Sequence, residues 1–170
     1  MAYTTIDKSS LHFNTKLYTG DGEPAGNAIT GVGFQPDWVW TKERSSANSH
    51  LLFDAVRGVT KSISSNSTAA QVTDAQYLTA FGTDGFTVGP SNDINEPSST
   101  YASWNWKANG AGSSNTDGSI TSTVSANTTS GFSIVKYTAS SSASTIGHGL
   151  GVKPKMIMQK NLDASSNWGV

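Results

Sequence analysis

The chain has 170 residues, a formal net charge of −1 and only 14% charged residues, with its lysines and arginines scattered. That balance argues against nucleic acid as a partner, because phosphate binding needs a concentrated positive field. Without cysteine there are no disulfides or thiolate metal sites, and no apolar run approaches the roughly 18 residues of a membrane helix, so no membrane insertion is expected.

Hydrophobic residues make up 35% of the chain, yet five Trp, five Tyr and six Phe supply large apolar areas. A folded domain with a polar, weakly charged surface is expected. The opening Met1-Ala2-Tyr3-Thr4-Thr5-Ile6-Asp7 lacks a basic start and an apolar stretch, so it does not read as a secretory signal.

The first predicted strand is Leu11 to Tyr18, where Leu11, Phe13, Thr15 and Leu17 alternate with His12, Asn14, Lys16 and Tyr18. Trp38-Val39-Trp40 is a second, entered through Pro36. Residues 68–77 read as an irregular loop. Leu78-Thr79-Ala80-Phe81 and Phe86-Thr87-Val88 read as a hairpin turned by Asp84-Gly85. Tyr101 to Trp106 form a further strand with Ala102, Trp104 and Trp106 on one face. Residues 108–119 have the Gly, Ser and Asn content of a linker. Phe132 to Tyr137 and Lys155 to Met158 close the list of predicted strands.

The most informative pattern is a repeat. Gly31-Val32-Gly33-Phe34-Gln35-Pro36-Asp37-Trp38-Val39-Trp40-Thr41-Lys42 returns 118 positions later as Gly149-Leu150-Gly151-Val152-Lys153-Pro154-Lys155-Met156-Ile157-Met158-Gln159-Lys160. Tyr18-Thr19 returns as Tyr137-Thr138, 119 positions on. Repetition of this kind marks a protein built from units. The expected organisation is a first repeat over 1–107, a linker over 108–119 and the N-terminal half of a second repeat over 120–170. Short strands with turn punctuation and no convincing helix predict an all-β, antiparallel β-sandwich, jelly-roll-like, with an incomplete second repeat. The second copy stops about half way, as expected of a trimmed piece of a longer array, and its strands leave an apolar face needing a partner.

Motifs for chemistry are weak. Gly31-Val32-Gly33 and Gly149-Leu150-Gly151 lack the third glycine and following helix of a dinucleotide fingerprint, so they read as tight turns before strands. His12, His50 and His148 have no ligand-like spacing partners, and His148 reads as a turn residue. Asn92-Asp93-Ile94-Asn95-Glu96 lacks the residue order of a calcium loop. Asp37, Glu43 and Asp54 flank the Trp38/Trp40 strand as a glycosidase pair would. Yet Asp37 and Glu43 become Lys155 and Asn161 in the second copy, so they read as solvated turn charges. No catalytic residue, metal site or cofactor is expected.

The better binding candidates are Trp38, Trp40, Trp104 and Trp106. Each i, i+2 pair projects from one face of its strand. An exposed face would be a stacking platform for sugars and a covered one would be core. Replacement of Trp38 and Trp40 by Met156 and Met158 favours core.

The ordered blocks Phe13-Asn14-Thr15-Lys16-Leu17-Tyr18-Thr19-Gly20-Asp21-Gly22, Gly31 to Lys42, Leu51-Leu52-Phe53-Asp54-Ala55-Val56-Arg57-Gly58 and Trp104-Asn105-Trp106-Lys107-Ala108 resemble a repeated β-rich domain. That domain occurs in virion structural proteins of tailed bacteriophages, notably marine ones infecting cyanobacteria and related hosts. The likeness runs through Asp84-Gly85-Phe86 and Asn115 to Ile120, covering essentially the whole chain. It implies a non-enzymatic virion component, a head decoration or tail-fibre piece, assembled in the host cytoplasm. The partners it implies are other virion proteins, copies of the same chain in a homo-oligomer, and, in a carbohydrate-binding adhesin, a host surface glycan.

Overall fold

A computed structural model describes residues 6–170; the signal-peptide reading rests mostly on residues outside that range. The strands are β1 (Phe13–Thr19), β2 (Asn27–Ile29), β3 (Trp38–Glu43), β4 (Leu51–Asp54), β5 (Lys61–Ser64), β6 (Val72–Thr73), β7 (Leu78–Gly82), β8 (Gly85–Val88), β9 (Thr100–Trp106), β10 (Ser113–Asn115), β11 (Ser122–Asn127) and β12 (Phe132–Tyr137). Two short helical turns, a 3-10 turn at Ser9–Leu11 and α1 at Asn92–Asn95, complete the described elements. The fold is all-β and sandwich-type, as the turn-punctuated sequence predicts, and every pairing between these strands is antiparallel.

A six-stranded sheet runs in the order β1-β9-β3-β4-β5-β6, beside three-stranded sheets β2-β8-β7 and β10-β11-β12. The main core lies on one face of the large sheet. It joins Val39, Leu51 and Phe53 to Ile29, Tyr77, Leu78, Phe86, Val88 and Ile94, with Tyr18 and Phe81 packed against it. Fully burying such side chains contributes about 1.5–3 kcal/mol each relative to exposure.

Strand β1 forms where the alternation places it, but the opposite face, Asn14, Lys16 and Tyr18, is the half-buried one. Leu17 is 65% exposed, whereas Tyr18 turns inward, stacks on Tyr101 with ring centroids 4.9 Å apart and donates its hydroxyl to the Ile94 carbonyl at 2.9 Å. A tyrosine that gains both a ring partner and a hydrogen bond outweighs a leucine in setting which side faces in. Burial pushes the Tyr18 hydroxyl pKa upward, with the neighbouring Tyr101 adding to it.

The hairpin β7–β8 forms as predicted, with Gly82 opposite Gly85 and Thr83-Asp84 at the turn. Gly85 serves close approach rather than the turn itself: a Cβ there would lie 1.9 Å from the Ile29 carbonyl oxygen. Residues 68–77 are a loop apart from the two-residue β6. Residues 108–119 are more ordered than a linker, since β10 pairs with β11 and the Asn109 N–H donates to Ser125 Oγ at 2.8 Å.

The second copy is half regular. Strand β12 repeats β1 at an offset of 119, Phe132 for Phe13 and Tyr137 for Tyr18. Residues 155–158, predicted to be a strand like β3, form none. Strand β3 is held between β9 and β4, and no strand within residues 155–170 supplies either neighbour. A strand without a ladder leaves its backbone groups to water.

Candidate functional site

The alternation of β3 and β9 sorts their side chains onto two faces. Val39, Thr41 and Glu43, with Tyr101, Ser103 and Asn105, are buried, while Trp38 and Trp40, with Trp104 and Trp106, are half-buried on the other face. Antiparallel register sets Trp38 opposite Trp106 and Trp40 opposite Trp104, and sets Phe13 opposite Trp106 on the other side. All four sequence candidates are therefore brought together, on the face turned away from the main core. The expectation that they are core is corrected to that extent: they are neither sealed inside nor fully open.

Each end of this aromatic row has its own chemistry. At one end, Trp40 and Trp104 meet edge to face, centroids 6.2 Å apart, and Trp40 Nε1 donates to His50 Nδ1 at 2.9 Å. Burial, with Lys42 nearby, holds the His50 imidazole below its usual pKa, which keeps its ring nitrogen available as an acceptor. At the other end, Trp106 packs on Phe13 at 4.7 Å and stacks with Phe132 at 6.2 Å. Phe132 also meets Trp38 edge to face at 6.4 Å. Phe132 belongs to β12, so the second copy is seated on this end of the row. An open recess of about 270 Å³ lies at the junction, lined among others by His12, Phe13, Trp106 and Phe132. Asn127 Nδ2 reaches His12 Nδ1 at 3.1 Å and the Lys107 carbonyl at 3.2 Å beside it.

The carboxylates near this face are committed to structure. Asp37 is buried and accepts from Gln35 Nε2 at 2.8 Å and from the Ala108 N–H at 2.7 Å. Asp54 pairs with buried Arg57, whose Nη2 donates to the Leu52 carbonyl at 2.9 Å. Glu43 is buried and accepts from Ser45 Oγ at 2.9 Å and Asn48 Nδ2 at 2.6 Å. Burial works to raise the Glu43 pKa, but hydrogen bonding by Ser46, Ser45, Ser99 and Asn48 outweighs it and holds the carboxyl below its usual value. The reading of Asp37, Glu43 and Asp54 as solvated turn charges is thus corrected: the fold buries and bonds all three. In the stretch considered for calcium, Asp93 Oδ2 accepts the Tyr77 hydroxyl at 2.9 Å and Asn95 Nδ2 donates to Asp21 Oδ1 at 3.0 Å. Burial, then the Asp93 bond, pushes the Tyr77 hydroxyl up to about 12.

Two repeated motif positions gain a physical meaning. The Gly31 and Gly33 N–H groups, both at positive φ, donate to the two oxygens of Asp84 at 2.9 and 2.6 Å. The Val32 N–H between them reaches the Asp84 carbonyl at 3.0 Å. Backbone N–H groups converging on one carboxylate make an anion-holding concavity. The lysine ending the motif closes its own loop in both copies. Lys42 Nζ donates to the Glu43 and Ser46 carbonyls, and Lys160 Nζ to those of Asn161 and Ser166. Lys160 also reaches the Thr68 carbonyl at 3.0 Å, and Trp168 Nε1 donates to that of Ser64 at 3.0 Å, tying residues 159–168 to the first unit.

Reading the sequence missed Phe13, Phe132, His50 and Asp84. The shared offset of Phe13 and Phe132 was a usable signal; the Asp84 contact spans 51–53 positions and leaves none. Chemically the face offers flat ring surfaces with polar neighbours, a geometry for packing and stacking.

Residues 8–170 match a family described as a domain of unknown function (DUF7483), and the chain belongs to that family. Comparison with curated proteins found no match, and comparison with solved structures found none either.

Proposed function

We propose that this chain is a non-enzymatic structural module of a tailed-phage virion, a head decoration or tail-fibre component built from repeated β units. The observation that carries this reading is the seating of Phe132, from the second copy, on Trp38 and Trp106 of the first. One unit is mounted on another through aromatic packing, which is how an extended appendage of repeats is propagated. Other virion proteins and further copies of the chain are the partners in this reading. Repetition on a particle turns weak contacts into strong attachment. Cryo-electron microscopy of purified particles tests it: copies following capsid symmetry or tail symmetry are expected, and absence of the chain from particles overturns it.

A second reading, a carbohydrate-binding adhesin, draws on the Trp40–Trp104–His50 end of the row, which carries half-buried rings on the outward face. Packing of a sugar ring's C–H face on tryptophan would quench its fluorescence. Titration with host-envelope oligosaccharides, with Trp40→Ala and Trp104→Ala as controls, is the test. Saturable quenching lost in both variants supports an adhesin, and no quenching removes it.

A further inference from the structure

An asparagine followed by glycine can react with its own backbone, and the chain has one such pair, Asn109-Gly110. Glycine lacks the Cβ that would keep its nitrogen away from the preceding side chain. Every other asparagine precedes a residue with a Cβ. Both reacting groups are free in the structure. Asn109 is exposed, and among the described residues neither its carboxamide nor the Gly110 N–H makes a hydrogen bond. Neighbouring asparagines are tied instead. Asn105 Nδ2 donates to the Asn14 carbonyl at 3.1 Å, Asn115 Nδ2 to Asp117 Oδ2 at 2.8 Å and Asn127 Nδ2 to the Lys107 carbonyl at 3.2 Å. Aspartate before glycine cyclises by the same route, and at Asp21, Asp84 and Asp117 the carboxylate is engaged in a hydrogen bond.

The pair lies where the two units join. The Ala108 N–H donates to Asp37 Oδ2 at 2.7 Å, which fixes the residue before Asn109 to the first unit. The Asn109 N–H donates to Ser125 Oγ at 2.8 Å, which fixes Asn109 to β11. Gly112, at φ +79°, runs so close to β11 that a Cβ there would lie 2.7 Å from the Val124 carbonyl oxygen. Only Gly110 and Ala111 separate these two points of attachment on β11.

We infer that Asn109 is a site of self-catalysed covalent modification, converting in the folded chain to isoaspartate and aspartate. The Gly110 nitrogen gives its proton to water or hydroxide and attacks Asn109 Cγ. The N–Cγ bond forms, the Cγ–Nδ2 bond breaks, and the amide nitrogen takes up a proton and leaves as ammonia. Water then opens the resulting succinimide at one of its two carbonyls. Breaking N–Cγ gives aspartate with the main chain unchanged. Breaking the bond to the main-chain carbonyl gives isoaspartate, whose chain runs on through Cβ and Cγ. Either product adds one negative charge to a chain whose formal net charge is −1. Isoaspartate also inserts one atom into the main chain between the attachments at 109 and 112, so the joint on β11 must shift to absorb it. The inference rests on Asn109 and its surroundings and does not depend on the virion reading.

The test is incubation of the folded 170-residue chain in ¹⁸O-labelled water at neutral and mildly alkaline pH, followed by peptide mapping with mass spectrometry. The peptide holding Asn109 should take up one ¹⁸O, in isoaspartate and aspartate forms, faster at higher pH because the Gly110 nitrogen must lose its proton. The rate should lie within about tenfold of that in a free peptide of residues 105–114, a factor equivalent to about 1.4 kcal/mol of restraint by the fold. An Asn109→Gln chain should take up no label at this position. Hydrogen exchange on the separated products should be faster in β10 and β11 of the isoaspartate form and unchanged in the aspartate form. An unlabelled Asn109 in the folded chain after the free peptide has reacted, label confined to another asparagine, or aspartate without isoaspartate overturns the inference. Equal exchange in the two products overturns the shift of the joint.

Discussion

Phe132 stacks on Trp106 with ring centroids 6.2 Å apart and planes 25° apart, while Phe13, its counterpart in the first copy, packs on Trp106 as well. One tryptophan thus receives the same residue from both copies of the repeat, once within its sheet and once between units. Replacing Phe132 by Ala should loosen the β10-β11-β12 sheet and cost about 1–2 kcal/mol, a half-buried share of the usual Phe→Ala penalty. Hydrogen exchange should then rise in β11 and β12 but not in β3 and β9. Unchanged exchange in β11 and β12 would show that the contact does not hold that sheet in place.

Asp84 links loop 31–33 to the β7–β8 turn. Its carboxyl is lowered from 3.8 because the Gly33 and Gly31 N–H groups donate to it, with Lys16 nearby. The folded pKa lies below the unfolded one, so this stabilisation is complete above the unfolded value and fades as pH falls through the folded one. Asp84→Asn should lower the urea midpoint at pH 7, and the gap from the unaltered chain should close below pH 4. A gap independent of pH would remove the charge from the explanation.

His50 accepts from Trp40 only as the neutral imidazole, and burial, helped by Lys42, lowers its pKa from 6.5. With the folded value below the unfolded one, its contribution is full above pH 6.5 and lost as pH falls through the folded value. Tryptophan emission should therefore change on acidification from pH 7 to 5, and His50→Ala should abolish that step. An unchanged step in the variant would assign it to another group.

Asp54 and Arg57 form a buried ion pair whose guanidinium also ties the Leu52 carbonyl. Breaking such a pair strands a charge, so Asp54→Ala should destabilise by about 3–5 kcal/mol. Chemical denaturation reads the loss directly. A cost under 1 kcal/mol would mean that the site rehydrates freely.

Much of the strand architecture was legible because backbone periodicity is local. The pairs Trp38/Trp40 and Trp104/Trp106 had to share a face within each strand, since side chains alternate along extended chain. The hairpin at 82–85 was legible from Thr-Asp-Gly between apolar runs. Face choice was not. In β1 the apolar Leu17 points out and Tyr18 in, because Tyr101 and the Ile94 carbonyl, 76 or more positions away, decide which residue gains more. The strand expected over residues 155–158 failed for a related reason: β propensity describes fit to a ladder, and no flanking strand provides one.

By itself the sequence determined an all-β chain with a repeated motif at a spacing of 118 and two tryptophan pairs, since composition, alternation and self-similarity are properties of neighbouring residues. Only the tertiary structure decided that the tryptophans lie on the outward face, that Phe132 seats one copy on the other, and that Gly31 and Gly33 hold Asp84. Those outcomes depend on register between strands distant in sequence, where hydrogen bonds and buried area are shared across the fold and no local pattern records the choice.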